Sequence, residues 1–337
     1  MAGIWLAGAC LVARADGAVV PTTMPASYGQ PGQSVAIGHG RTLNLRCSGT
    51  GSRTVLLEAG SHADASSWFR LQPLLAPFVR VCAYDRAGYG FSPPGPLPRD
   101  LQADVADLHA LIRHAGLATP LVLVGHSLGS NIARQYAGDY PADVAGMVLL
   151  DPPAQDVAAL APDWARDEKA SNARRFVFIR QCEAGAENGK LPAAQGELSS
   201  CIAPASPLAD ADLFKAMNAY KTRPGFWRTL LSELEDNAAV FGQPVPPGEN
   251  HGSTPLIVLT AADTYVDAPA GLRKKLEQAR DATQRAIVAT STRGERWPVD
   301  DSSHDIQMDR PAVVARAVRK VLRETGEANQ AAATAGH

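Results

Sequence analysis

Between Leu121 and Ala137 a continuous apolar run, Leu121-Val122-Leu123-Val124, passes through Gly125-His126-Ser127-Leu128-Gly129 into a helical pattern from Ser130 onward. A strand that is apolar on both faces belongs in a sheet covered on both sides. A strand that ends at once in a tight turn and a helix is a unit of parallel-sheet architecture, so this stretch confines the chain to an α/β fold.

The rest of the sequence repeats the theme. Short apolar runs at Val35 to Ile37, Thr42 to Cys47, Thr54 to Glu58, Val79 to Tyr84 and Val144 to Leu150 read as further strands. Gly38-His39-Gly40 and Gly49-Thr50-Gly51 have the turn chemistry of hairpins. Leu101, Val105, Leu108, Leu111 and Ile112 recur at helical spacing and predict a helix covering the sheet. After Asp151 the periodicity breaks, and from Pro152 to about Gly252 the chain is rich in Pro, Ala and charge, with helical stretches near Val157 to Asn172 and Asp210 to Asp236. This span, 152–252, reads as an inserted helical cap. The alternation resumes with a strand at Pro255 to Thr260, a helix near Ala268 to Arg280, a strand at Arg285 to Ala289 and a helix from Pro311 to Arg323. The core is therefore expected at 16–151 and 253–326, with a disordered, low-complexity tail at 327–337.

At 337 residues, 45% hydrophobic and 20% charged, the chain is long enough for one catalytic domain with an insertion. A net charge of −2 without a Lys/Arg cluster gives no attraction for nucleic acid or an anionic membrane. No uncharged apolar run approaches the roughly 18 residues of a transmembrane helix. Ile4 to Val12 followed by Ala13-Arg14-Ala15 has the form of a signal peptide (1–15), with cleavage leaving Asp16 first, although Met1 to Gly3 carries no basic residue. A secreted or periplasmic protein is therefore expected, with a lipoprotein anchor at Cys10 the weaker alternative and a frayed N-terminus on a cytoplasmic enzyme the remaining one. Loss of the leader leaves Cys47, Cys82, Cys182 and Cys201. Cys182 and Cys201 flank a polar loop with little else to order it and are expected to form a disulfide, whereas Cys47 and Cys82 fall in strands and read as free, buried cysteines.

The chemistry rests on Gly125 to Gly129. In G-x-S-x-G between strand and helix, the serine occupies a strained turn that lifts its hydroxyl off the sheet, and the glycines remove Cβ atoms that would collide. A serine hydroxyl needs a base and an orienting acid, in the chain order Ser, acid, His. His304, in Ser302-Ser303-His304-Asp305 before the last helix, is the only histidine so placed; His109, His114, His251 and His337 read as solvated. Asp263, which follows the strand Pro255 to Thr260 through Ala261-Ala262, is the first choice of acid, Asp151 the alternative, and the loop pair Asp300 and Asp301 a third. An oxyanion hole would take the Leu128 backbone N–H and a second from Ala59-Gly60-Ser61, Ser61 ahead of Gly60. There is no phosphate-binding glycine loop with Lys-Ser/Thr and no paired Cys/His spacing, so no cofactor or metal is expected.

With these motifs the sequence resembles the α/β-hydrolase superfamily from about Thr42 to Arg323, excluding most of the cap. The supporting marks are Leu57-Glu58-Ala59-Gly60, Asp85-Arg86-Ala87-Gly88-Tyr89-Gly90-Phe91-Ser92, the Gly125 to Gly129 elbow, and His304 followed by Asp309-Arg310-Pro311. The resemblance implies an α/β-hydrolase fold, a mostly parallel eight-stranded sheet flanked by helices with a cap insertion. It also implies that Asp85 to Ser92 is a tight turn beneath the site and not catalytic. Epoxide hydrolases and haloalkane dehalogenases of this type carry an aspartate where Ser127 stands. The expected activity is therefore hydrolysis of a small carboxylic ester through an acyl-enzyme on Ser127. Lactones, amides or a carbon–carbon bond are alternative substrates, and a binding protein with a vestigial triad is the non-enzymatic alternative. Trp164, Phe214, Tyr220, Phe226 and Trp227 in the cap either pack it on the core or line its pocket.

Overall fold

Buried apolar strands that alternate with amphipathic helices can satisfy both faces of a sheet only in three layers. The computed structural model, which describes residues 14–15, 18–191, 196–202 and 206–335, has this arrangement. Its strands are β1 Gln33–Gly38, β2 Arg41–Ser48, β3 Thr54–Glu58, β4 Arg80–Tyr84, β5 Leu121–His126, β6 Val144–Leu150, β7 Leu256–Ala261 and β8 Gly294–Val299. They form one eight-stranded sheet in the order β8-β7-β6-β5-β3-β4-β2-β1. The pairs β1/β2 and β2/β4 are antiparallel and the remainder parallel.

The period of two along the central strands divides the core. Leu121 and Leu123 of β5, with Met147 and Leu149 of β6, pack against Val105, Leu108 and Ile112 of α1 (Leu101–His114) and Ile132 and Tyr136 of α2 (Leu128–Asp139). Val122, Val124, Val148 and Leu150 face the other way, onto Trp68, Leu71 and Leu75 and onto Val314, Val318 and Val321 of α6 (Pro311–Ala335). Each such side chain contributes about 1.5–3 kcal/mol by leaving water.

Over 152–252 the chain forms helices outside the sheet, chiefly α3 (Pro162–Glu187), Ala211–Met217 and α4 (Pro224–Asp236). Phe226 meets Tyr220, Trp227 and the core's Tyr89 edge to face, and Tyr220, Phe226 and Trp227 are buried, so these three aromatics fasten the cap. Trp164 is partly buried in a separate cluster with Val157 and Leu276.

Four local expectations change. The Gly49-Thr50-Gly51 turn does not make a hairpin, because β3 crosses over to lie between β4 and β5. The resulting β2/β4 pairing sets Cys47 directly opposite Cys82, with Cα atoms 4.0 Å apart, and the two are joined as a disulfide instead of being free. Residues 285–289 are not a strand: α5 runs Ala270–Ala289, since Leu276, Ala279, Arg280, Thr283, Gln284 and Ile287 form one buried helical face, and the last strand is β8. The tail expected to be disordered continues α6 to Ala335, in keeping with the high helix propensity of its alanines. Cys182 and Cys201 are bonded, Cα to Cα 5.6 Å. The expected leader lies outside the described residues except for Arg14–Ala15, which pairs with Ala18–Val19. Among the described residues no helix is long and apolar enough to cross a membrane.

Candidate active site

β5 delivers Ser127 into a backbone conformation of φ 51° and ψ −121°, which costs a non-glycine residue on the order of 1–3 kcal/mol. The turn is held by the Ser127 N–H donating to the Leu150 carbonyl (3.0 Å) and by Ser130 Oγ donating to the Gly125 carbonyl (3.0 Å). The glycines are required by contact. A Cβ on Gly125 would stand 2.4 Å from the Gly129 carbonyl oxygen, and one on Gly129 would stand 2.4 Å from that of Glu58. Leu128 opens α2, where the first backbone N–H groups have no intrahelical acceptor.

His304 stands on the loop between β8 and the Ile306–Asp309 turn. Its ring lies 4.7 Å from that of His126, whose Nε2 is 3.0 Å from the His304 carbonyl oxygen, so the residue preceding Ser127 holds the loop bearing His304 against the elbow. Burial, then the neighbouring His304, pushes the His126 pKa down to about 4, and the neutral ring donates to that carbonyl.

The imidazole's carboxylate partner is Asp151, at 2.8 Å from Nδ1. An ionised carboxylate only accepts, so Nδ1 carries the proton and Nε2 is left for proton transfer. Asp263, expected in this role, is exposed, and its backbone N–H donates to the Ser302 carbonyl (2.9 Å). The reason is placement. Asp151 directly follows β6, next to β5, is 1% exposed, and receives Thr264 Oγ1 (2.5 Å), Gln284 Nε2 (3.2 Å), Arg280 Nη1 (3.4 Å) and the Ala261 N–H (3.3 Å). Burial raises its pKa, but the His304 hydrogen bond, the Arg280 charge and the Thr264 hydroxyl outweigh it and leave the carboxyl below its ordinary value. Asp301 pairs with Arg310 at the exposed rim, and no contact joins it or Asp300 to the imidazole.

Gly60 lies against the elbow: a Cβ there would meet His126 Nδ1 at 2.9 Å and Ser127 Cβ at 3.3 Å. Ser61 Oγ donates to Glu233 Oε1 of α4 at 2.5 Å. Two residues of this region escaped the sequence reading, Arg86 and Glu233. Arg86, in the turn assigned only a shaping role, donates to Glu58, Glu233 and the carbonyls of Ala59 and Gly60. A lone arginine between Asp85 and Ala87 carried no periodic signal, and Glu233 is 147 residues away in the chain. His251, expected to be solvated, is buried beside Glu249, which also pairs with Arg134 of α2. Among the described residues no three His, Cys, Asp or Glu side chains are grouped to hold a metal.

A mostly parallel sheet with a strained serine elbow after β5 and a His–Asp pair at its carboxyl edge defines a class of fold and site. The chain matches the Alpha/beta hydrolase family over residues 47–317, and it belongs to that family. Among curated proteins it is similar to lipase LipV of Mycobacterium tuberculosis, 34% identical over 187 residues, 55% of this chain and 65% of the relative. It is also similar to the uncharacterized protein YqjL of Bacillus subtilis, 32% identical over 111 residues, 33% of this chain and 44% of the relative. These matches thus span less than two thirds of the relatives' lengths. Of solved structures, a thermophilic esterase from Thermogutta terrifontis shares the fold at TM-score 0.56 and 22% identity, over 87% of this chain and 99% of that one.

Proposed function

We propose that this chain is a serine hydrolase that cleaves a small carboxylic ester through an acyl-enzyme, with Ser127 as nucleophile, His304 as general base and Asp151 as orienting acid. The observation that carries the reading is the 2.8 Å contact between His304 Nδ1 and the buried Asp151, formed beside the strained Ser127 turn. Ser127 Oγ attacks the ester carbonyl while His304 Nε2 takes its proton. Leu128 and the Gly60-Ser61 segment supply backbone N–H groups for the developing oxyanion. Collapse breaks the C–O bond, and His304 returns the proton to the leaving alcohol. A water, deprotonated by the same nitrogen, then releases the acid and restores Ser127. The esterase and lipase among the similar proteins support esters ahead of amides and lactones. The two disulfides support an exported enzyme, since such bonds persist in oxidising compartments.

The test is treatment with a fluorophosphonate followed by peptide mapping, beside turnover of nitrophenyl esters graded by acyl length. A single adduct on Ser127, with turnover abolished in step, is the expected result. Ester turnover that survives Ser127→Ala, or an adduct on another serine, would overturn the mechanism.

A further inference from the structure

Arg86 and Glu233 are each only 2% exposed at the side chain, and Glu58 is fully buried. One guanidinium joins them: Nη1 donates to Glu58 Oε1 (2.9 Å) and the Ala59 carbonyl (2.6 Å), and Nη2 to the Gly60 carbonyl (2.8 Å) and Glu233 Oε2 (3.0 Å). In a trans peptide the C=O and the following N–H point to opposite sides of the chain. Fixing the Ala59 and Gly60 carbonyls on Arg86 therefore turns the N–H groups of Gly60 and Ser61 away from Arg86. They belong to the segment from which the proposed mechanism draws the oxyanion donor that joins the Leu128 N–H, and Gly60 already lies against Ser127. Glu233 closes the arrangement from the cap, since its two oxygens hold Arg86 and the Ser61 hydroxyl at once. α3 adds a second cap contact on the same loop, with Arg175 Nη2 donating to His62 Nε2 at 2.6 Å.

We propose that Glu233 is a positioning residue by which the docked cap orients the oxyanion loop: through Arg86 and Ser61 it sets the direction of the Gly60 and Ser61 backbone N–H groups. The proposal rests on the serine-hydrolase reading. Its consequence is that the docking of the cap governs the rate of acyl transfer.

Because a misdirected oxyanion donor weakens the transition state more than the bound ester, the effect belongs in kcat. Loss of one such donor costs on the order of 10²–10³ in rate, so misdirection in Glu233→Gln should lower kcat by about 10- to 100-fold. KM should stay within about twofold, and fluorophosphonate labelling of Ser127 should slow in parallel. Unchanged kcat with raised KM, or labelling at the wild-type rate, would mean that Glu233 only docks the cap and would overturn the proposal. Should Glu233→Gln fail to fold, Ser61→Ala, which keeps the buried Arg86–Glu233 pair, decides it: a several-fold loss in kcat supports the proposal and an unchanged kcat overturns it. Wild-type protein that neither turns over esters nor labels would overturn the serine-hydrolase reading and this proposal together. Wild-type labelling on Ser127 separates the two.

Discussion

Asp151 and Asp263 stand at comparable points of the molecule, each just beyond an apolar parallel strand at the carboxyl edge of the sheet, β6 and β7. One is buried under four hydrogen-bond donors and also meets His304, while the other is exposed and lies in a loop closed by its own backbone. The two differ in what the neighbouring helix brings to them. α5 carries Arg280 and Gln284 on its buried face, and both reach Asp151. A carboxylate taken from water needs such donors, and a strand-end position by itself supplies none.

The strongest way to break the comparison is to neutralise each carboxylate in turn. Asp151→Asn should lower kcat/KM for a nitrophenyl ester by on the order of 10³–10⁴, because the imidazole loses both its tautomer and the charge that stabilises its protonated form. Asp263→Asn should leave it within about twofold. Steady-state kinetics on the two purified variants checks this, and the reverse ranking would restore Asp263 as the acid.

A smaller effect is expected from the support. Arg280→Gln removes a charge 3.4 Å from Asp151 Oδ1 and the 2.7 Å hydrogen bond to Thr264 Oγ1, whose hydroxyl also serves Asp151. With that scaffold loosened, kcat should fall about tenfold with KM little changed, the pattern of a lost positioning interaction. A wild-type kcat would show that Asp151 needs no help from α5.

The same helix explains why the carboxylate partner of His304 was the least legible part of the site. Ser127 and His304 could be read from local patterns, an apolar strand running into a glycine-flanked serine and a histidine loop before the final helix. Asp151 and Asp263 share one local pattern, an apolar strand followed by Asp, so the choice depends on tertiary neighbours. Arg280, Thr283 and Gln284 are polar residues on a buried helical face, and read by hydropathy they end the helix near Arg280. Ending α5 there both invents a strand at 285–289 and hides the partners of Asp151. The Cys47–Cys82 bond was hidden in a similar way, by a glycine turn that suggests a hairpin where the chain makes a crossover. The cap pair Cys182–Cys201 was legible because its loop offers no competing source of order.

A third, weaker effect lies in pH. His126, on the elbow side of the His304 loop, faces His304, Asp305 and Asp151, and its folded pKa of about 4 is below the ordinary 6.5. The unfolded chain therefore binds more protons between those values, and this group's contribution to stability is lost as pH falls from 6.5 through 4, by at most roughly 3 kcal/mol. Burial raises Glu58 to about 7 and Asp104 to about 6, which acts in the opposite sense, so the contrast between variants carries the test. Denaturant unfolding from pH 7 to 4 should show wild-type protein losing more stability than His126→Gln. Parallel curves would remove His126 from the account.

The pairing itself can be observed without catalysis. In protein labelled with ¹⁵N-histidine, a far-downfield imidazole proton assigned to His304 by its absence in His304→Gln reports the Nδ1–H held by a carboxylate. With Asp151 as the partner, this resonance should persist in Asp263→Asn and be lost or moved far upfield in Asp151→Asn. A resonance that survives in Asp151→Asn and disappears in Asp263→Asn would contradict it.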